Sequence, residues 1–345
     1  MTQPPQFRGN AYRKLAELNT WTKQRRETAL EPELPIVDPH HHLWNDERGK
    51  YLTQELLEDI GTGHNVIATV FVETELMYRT DGPTAMQPIG EVEFVNEIAA
   101  TSANGRDGKP RLCAGIVGHA DLTLGDRVQP VLEALIAAGN GRLRGIRDHV
   151  RWDANIASTH DVPPHLMLDP TFREGFARLQ PLGLSYDVSQ FYTQLPELVD
   201  LLRAFPNANV ILNHFGGLLG IPPHNKRDEV FAIWRGHIRE LARFSNLSVK
   251  VGGLGMLRCG WDFHLRDVPP SSEELAAAWR PYVETCIEAL GPGRCMMESN
   301  FPPDKQTCGY GVLWNALKRI TQGCSAAEKA ALYCDTAARA YRLAV

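Results

Sequence analysis

Two histidines one residue apart at the end of an apolar run are the sharpest chemical feature of this chain. The segment VDPHHHLW, Val37 to Trp44, reads as the end of a β-strand. Strict alternation puts Asp38, His40 and His42 on one face and Val37 and His41 on the other. Neutral imidazole is the commonest protein ligand for zinc and similar ions, so such a pair offers two metal ligands or two proton carriers. A His-rich polar loop without a site is the plain alternative.

Two more strand ends carry reactive side chains. In NVILNHFGG, Asn209 to Gly217, an apolar run stops at Asn213 and His214 before two glycines. His214 is either a third ligand or an acid/base near a reacting carbonyl, and alone it would read as a structural histidine. In GIRDHVRWD, Arg147 and His149 share a face. An arginine at such a place needs an anion, and its fork suits a substrate carboxylate; an internal ion pair with Asp148, Asp38 or Asp187 explains it equally well. Asp187 is a further substrate-binding candidate, while Glu73, Glu75 and Gln190 read as hydrogen-bonded support.

These residues need strands to present them. After a leader, residues 1–33, eight short β-rich runs alternate with amphipathic helical segments: 36–40, 65–72, 112–117, 143–147, 184–188, 209–213, 247–251 and 294–298. Most are Val, Ile or Leu runs, as expected of strands buried on both faces. Helical spacing predicts helices over 91–100, 128–138, 195–205, 229–244, 273–290 and 310–320. Ser325 and Glu328 form a capping box for the closing segment. Eight βα units are best satisfied by one (β/α)8 TIM barrel, residues 34–345, whose active site lies on the face formed by the strand C-termini. The longest insertions follow strands two, four and seven, and their Tyr78, Arg79, Trp152, Trp261, His264 and Arg266 are specificity candidates.

Composition excludes several partners. Of 345 residues, 36 are Lys or Arg and 41 Asp or Glu, a net charge of −5, so no basic field exists to hold a nucleic acid or an anionic membrane. No apolar run approaches a membrane span. The start carries no secretory signal, which makes a cytoplasmic location the expectation. Seven cysteines without a CxxC pair read as reduced thiols. A small-molecule substrate is the expected partner, and the outer helices leave room for a homodimer.

VDPHHHLW, ILNHFGG, RCMMESNFPPD and AARAYRL together resemble the amidohydrolase-related (amidohydrolase 2) family, over roughly residues 35 to 343. The likeness is to its branch of L-fuconolactonase-like and 2-pyrone-4,6-dicarboxylate lactonase-like proteins. The resemblance implies an amidohydrolase-like barrel that hydrolyses a lactone or related ester or amide carbonyl. Its site would combine the His-x-His pair, here His40 and His42, a later strand histidine, here His214, and an aspartate after strand eight. That aspartate is missing: Ser299-Asn300-Phe301-Pro302 stands where the family has a Ser-Asp-Tyr-Pro-like sequence. An amide cannot take a proton from water and is a poorer cation ligand. Glu298, where the family usually has glycine, shares parity with Asn300 about 6.6 Å away along a strand, and its longer side chain could replace the carboxylate from one layer deeper. Pairing of Glu298 with an inner cation such as Lys250 is the competing reading.

The expected chemistry is water attacking a carbonyl, with Arg147 orienting the substrate and His214 protonating the leaving alkoxide. A zinc or manganese ion on His40, His42 and His214 and metal-free hydrolysis are equally compatible with the pattern. A metal-dependent decarboxylase of an aromatic or unsaturated acid is the main rival, and a non-catalytic small-molecule binder the third reading.

Overall fold

The computed structural model describes residues 12–102, 110–156 and 160–345. The first part of the expected leader and part of the loop after the fourth strand lie outside the described residues. Eight strands, β1 (Ile36–His41), β2 (Val66–Val72), β3 (Arg111–Gly118), β4 (Leu143–Ile146), β5 (Ser185–Val188), β6 (Val210–Leu212), β7 (Leu247–Val251) and β8 (Cys295–Met297), pair in sequence order. Every neighbouring pair is parallel. Past the last regular residue of β8 the chain meets β1: the Asn300 amide donates to the His40 carbonyl (2.9 Å) and the His42 amide to the Phe301 carbonyl (2.8 Å). These bonds bring the barrel's two edges together at the residues expected to do chemistry.

A helix follows each strand, from Thr53–Ile60 after β1 to Tyr310–Ile320 after β8. Pro170–Ala177, after β4, is too short and too interrupted by glycine to stand out in the sequence, but Asp169 caps it by accepting from the Thr171 and Phe172 amides. The Ser325/Glu328 capping box forms as its spacing predicts. The leader contributes a helix, Leu15–Thr22, that buries Leu15, Leu18 and Trp21 against the barrel. Trp21 donates its indole N–H to the Arg266 carbonyl (3.0 Å), and Lys318 Nζ donates to the carbonyls of Leu30 (2.8 Å) and Glu31 (2.9 Å).

The register of β1 corrects the simple alternation read from the sequence. Pairing with β2 runs Val37 to Ala68 and Asp38 to Thr69, then slips before His41 meets Phe71. Val37 packs inside with Ala68, Val70, Ile211 and Met296. Asp38 accepts from Tyr310 Oη of the outer helix (3.0 Å) and from the Ser299 amide (3.0 Å). The irregularity around Pro39 therefore separates Asp38 from His40 and His42, because an extra residue in a strand moves all that follow to the other face. His41 remains on the opposite side, its Nε2 bonded to Thr69 Oγ1 (2.9 Å).

The closing helix, Thr336–Ala340, seals the N-terminal end of the barrel: Ala337 and Tyr341 pack with Val37, Ala68 and Ala114, and Asn209 reaches the Ala340 carbonyl (3.2 Å). All seven cysteines are free. Among the described residues, no helix is long and apolar enough to cross a membrane.

Candidate active site

His214 is presented by an unusual turn. Residues 214–217 have φ of 52°, 56°, 78° and 73°, one turn of left-handed backbone beginning directly after β6. Non-glycine residues resist this conformation by about 1–2 kcal/mol each, so a turn holding His214 and Phe215 that way is strain concentrated at a strand end. The glycines of NHFGG complete it: a Cβ on Gly217 would lie 1.7 Å from the Gln190 carbonyl oxygen. The pair after β7 forms the bed beneath the site. A Cβ on Gly253 would lie 2.6 Å from His214 Nδ1, and one on Gly252 2.4 Å from Glu298 Cγ.

Glu298, fully buried, binds two of the expected histidines. His214 Nδ1 lies 2.7 Å from Oε1 and His40 Nδ1 lies 3.1 Å from Oε2, the latter outside hydrogen-bonding alignment. His40 Nε2 and His42 Nε2 are 3.1 Å apart. His42 Nδ1 must carry its proton, since it faces the Val72 carbonyl at 2.8 Å, so His42 Nε2 is a bare lone pair. Burial holds His40, His42 and His214 well below the ordinary histidine range; Lys250 adds to this for His40 and Arg258 and Arg147 for His214. Burial pushes the Glu298 carboxyl well up.

Beneath His40 a column of polar groups runs down the barrel axis. Lys250 Nζ is 3.1 Å from His40 Nδ1 and 2.7 Å from Asp187 Oδ1, which also accepts from Tyr341 Oη (2.6 Å). Asp187, expected at the substrate, thus sits one layer deeper with Lys250 and Tyr341 as partners. The ring of His40 has two self-consistent proton arrangements. Lys250 donates to Nδ1 while Nε2–H donates to His42, or Nδ1–H faces Glu298 and two bare Nε2 atoms face each other. Asn300, fully buried, follows β8. Its Nδ2 donates to Asp304 Oδ1 (2.6 Å), and among the described residues its buried Oδ1 has no donor. Asp304 also accepts from the Gly255 amide (2.8 Å), and burial raises its carboxyl to about 7.

Arg147 and His149 converge on Glu73, not on the aspartates weighed as Arg147's partners. Arg147 Nε is 2.6 Å and His149 Nε2 2.9 Å from Glu73 Oε1, and Arg147 Nη2 donates to the Glu73 carbonyl (2.6 Å). Burial acts to raise the Glu73 carboxyl, but Arg147 and His149 prevail and hold it well below the usual range. Nearby Glu91 is the opposite case: burial and the charge of Glu73 push it up to about 8. Its Oε1 accepts from the Thr74 (2.9 Å) and Leu76 (2.8 Å) amides, while Oε2 has no partner among the described residues. Between roughly pH 4.5 and 8 the unfolded chain has released this proton and the folded chain has not, so stability falls as pH rises through that window. Glu91→Gln keeps the acceptor and removes the titration. Its melting temperature should exceed that of the wild type by at least about 2–4 °C at pH 8.5 and match it near pH 5, as scanning calorimetry would read.

The sequence matches the amidohydrolase family over residues 37–343. The chain belongs to the amidohydrolase family. It is 33% identical over 333 residues to an uncharacterised protein of Sinorhizobium fredii, covering 90% of this chain and 99% of that one. It is 27% identical to the L-fucono-1,5-lactonase of Burkholderia multivorans, covering 89% and 96%. A crystal structure of a Burkholderia multivorans amidohydrolase with bound zinc superposes with a TM-score of 0.69 at 25% identity, covering 90% and 99%.

This amidohydrolase has a donor set that fits a divalent cation. His40, His214 and Glu298 form a buried group whose ligand atoms lie within 4.8 Å of one another. Among the described residues Glu298 Oε2 and Asn300 Oδ1 are buried acceptors without donors, and His42 offers the Nε2 lone pair 3.1 Å from His40 Nε2. Sequence reasoning undervalued Lys250 and Glu73, and it missed Arg258 and Asp304, which loops rather than strands deliver. Of the loop candidates, Arg79 and Arg266 are in surface ion pairs with Glu93 and Glu274, His264 packs edge-on to Tyr12, and Trp261 lies under Arg227 (3.7 Å). Tyr78 has a buried hydroxyl without a partner among the described residues, and the Trp152 amide donates to Gln194 Oε1.

Proposed function

We propose that this amidohydrolase opens a lactone by adding water to its carbonyl. The observation that carries the reading is the bond between Glu298 and His214 Nδ1, which leaves His214 Nε2 as an uncommitted base. Burial keeps that imidazole neutral at neutral pH, so it accepts a proton before it donates one. Nε2 takes a proton from water as the water oxygen bonds to the carbonyl carbon. Glu298 stabilises the imidazolium across 2.7 Å. The imidazolium then returns the proton to the ring oxygen as the C–O bond breaks, giving an open-chain hydroxy acid. Of the buried group His40, His214 and Glu298, a zinc or manganese ion would be held by His40 and Glu298, with the His42 lone pair in place of His214, and would polarise the carbonyl while His214 carries the proton. The lactonase and the zinc-bound protein of Burkholderia multivorans support lactone chemistry and cation binding, respectively.

The test is a panel of five- and six-membered lactones, L-fucono-1,5-lactone included, followed by acid release in a pH-stat and by headspace carbon dioxide. Acid release without carbon dioxide is expected; carbon dioxide from an aromatic acid, with no lactone opened, overturns the reading in favour of decarboxylation. Plasma mass spectrometry on untagged protein should find about one equivalent of zinc or manganese, lost in the His40→Ala/His42→Ala variant. Lactone opening at full rate by metal-free protein would remove the cation from the proposal and keep the His214 step.

A further inference from the structure

The leader is bound to the loop after β7 along its length. The family match begins at residue 37, so these leader residues lie outside the matched segment. Arg13 Nη1 donates to the His264 carbonyl and Nη2 to that of Arg266 (3.4 Å), which also takes the Trp21 indole N–H (3.0 Å). Arg25 Nε donates to the Pro269 carbonyl (3.3 Å), and Glu27 Oε1 accepts from the Ser272 amide (2.8 Å). The leader residues and their partners follow in the same order, so leader and loop run side by side in one direction. Little else holds the loop here. Pro269 and Pro270 have no N–H, Leu265 and Val268 are exposed, and among the described residues the Asp267 and Val268 amides find no acceptor.

That loop belongs to the site. It starts at Gly252 and Gly253, the bed beneath Glu298 and His214, and carries Arg258, after burial the leading electrostatic influence on the His214 ring. It is joined to the loop after β8 at Gly255, whose amide donates to Asp304 (2.8 Å) and whose carbonyl accepts from Thr307 Oγ1 (2.7 Å). The leader holds this second loop as well. Gln306 Oε1 accepts from the Tyr12 (3.1 Å) and Arg13 (3.0 Å) amides, and its Nε2 donates to the Arg13 carbonyl (2.8 Å). Arg13 is therefore the crossing point, its backbone on one loop and its guanidinium on the other, with that guanidinium 4.6 Å from the centre of the Trp21 ring. Trp21 is buried with Leu15 and Leu18, an apolar anchor that keeps the leader in place.

We infer that Arg13 and Trp21 are positioning residues for the reaction at His214. By strapping down the loop after β7 they hold Gly252, Gly253 and Arg258 in the arrangement that His214 and Glu298 need. Catalytic groups tolerate little play: a displacement of about 1 Å, caused by a change far from the chemistry, costs up to about 10²-fold in rate. A leader that only added stability would change the melting temperature and leave the rate of the folded enzyme alone. The rate part of this inference rests on the lactonase reading; the hold on the loop does not.

The test separates the two parts on the full-length protein. Arg13→Met/Trp21→Phe keeps apolar bulk at both places and removes the donors to the His264 and Arg266 carbonyls. Hydrogen exchange read by mass spectrometry should quicken by about tenfold or more in peptides within residues 254–271 and stay unchanged in those of β3 and β4. On the best lactone, well below the melting temperature, kcat should fall by about tenfold or more and KM change by less than about threefold. Arg13→Lys, which keeps a donor, should retain more of the rate than Arg13→Met, and these single variants guard against a folding defect in the double one. A kcat within about twofold of the wild type in the folded double variant, whatever its melting temperature, overturns the inference, as does unchanged exchange in 254–271. Faster exchange there in a protein that opens no lactone overturns the lactonase reading and leaves the strap standing.

Discussion

Glu298→Gln lowers kcat on the best lactone by about 10³-fold and leaves the fold intact. The expected size follows from related chemistry: replacing the aspartate behind a catalytic histidine with its amide costs about 10⁴ in serine proteases, because the imidazole is left in the wrong tautomer. Here Glu298 lies 2.7 Å from His214 Nδ1, and in its ionised form, which Lys250 favours against burial, it accepts from Nδ1–H and fixes Nε2 as the basic nitrogen. The glutamine has the same shape, fits the same bed of Gly252 and Gly253, and loses the charge that stabilises an imidazolium. Asn300→Ala is the matched control. Its side chain supplies an acceptor and a bond to Asp304, so it should cost no more than about tenfold, the usual worth of one supporting hydrogen bond near a site. Steady-state kinetics with far-ultraviolet dichroism as a folding check decide the matter. Full activity in Glu298→Gln together with its loss in Asn300→Ala would return the role to the residue in the family's aspartate position.

The difference between what was legible and what was not follows from how each side chain is positioned. The eight strands could be read to within about two residues because strands buried on both faces leave unbroken runs of Val, Ile and Leu. His40, His42 and His214 stood at the ends of such runs, and Glu298 shared their logic. Asp38 did not obey it: alternation holds only while the ladder stays in register, and the one mark of the slip before His41 is Pro39, which cannot donate to the ladder. Arg258 and Asp304 sit on turns whose course depends on Gly220, Gly255 and Gly260, so no periodicity points to them. Lys250 entered the sequence reading only as an inner cation that could pair with Glu298, the competing reading of that carboxylate. It binds Asp187 at 2.7 Å, and Glu298 keeps to the histidines.

Lys250→Met should be the most destabilising single change in the barrel interior, by about 3–5 kcal/mol, the usual cost of removing one partner from a buried ion pair. Lys250 and Asp187 have no exposed surface, and the variant leaves Asp187 with Tyr341 as its chief donor. The pair itself contributes little net stability, because two charges taken out of water must first offset their lost hydration. Adding Asp187→Asn to Lys250→Met should therefore restore much of the loss, a non-additivity of at least about 1 kcal/mol in urea denaturation. The column also reaches His40, 3.1 Å from Lys250 Nζ. In Lys250→Met nothing competes for His40 Nδ1, so its proton faces Glu298 and Nε2 turns bare toward His42. If the double variant recovers stability but not lactone opening, Lys250 sets the state of His40. Recovery of both would make the column a packing device alone. Strictly additive losses would show that the 2.7 Å contact between Lys250 and Asp187 carries no coupling at all.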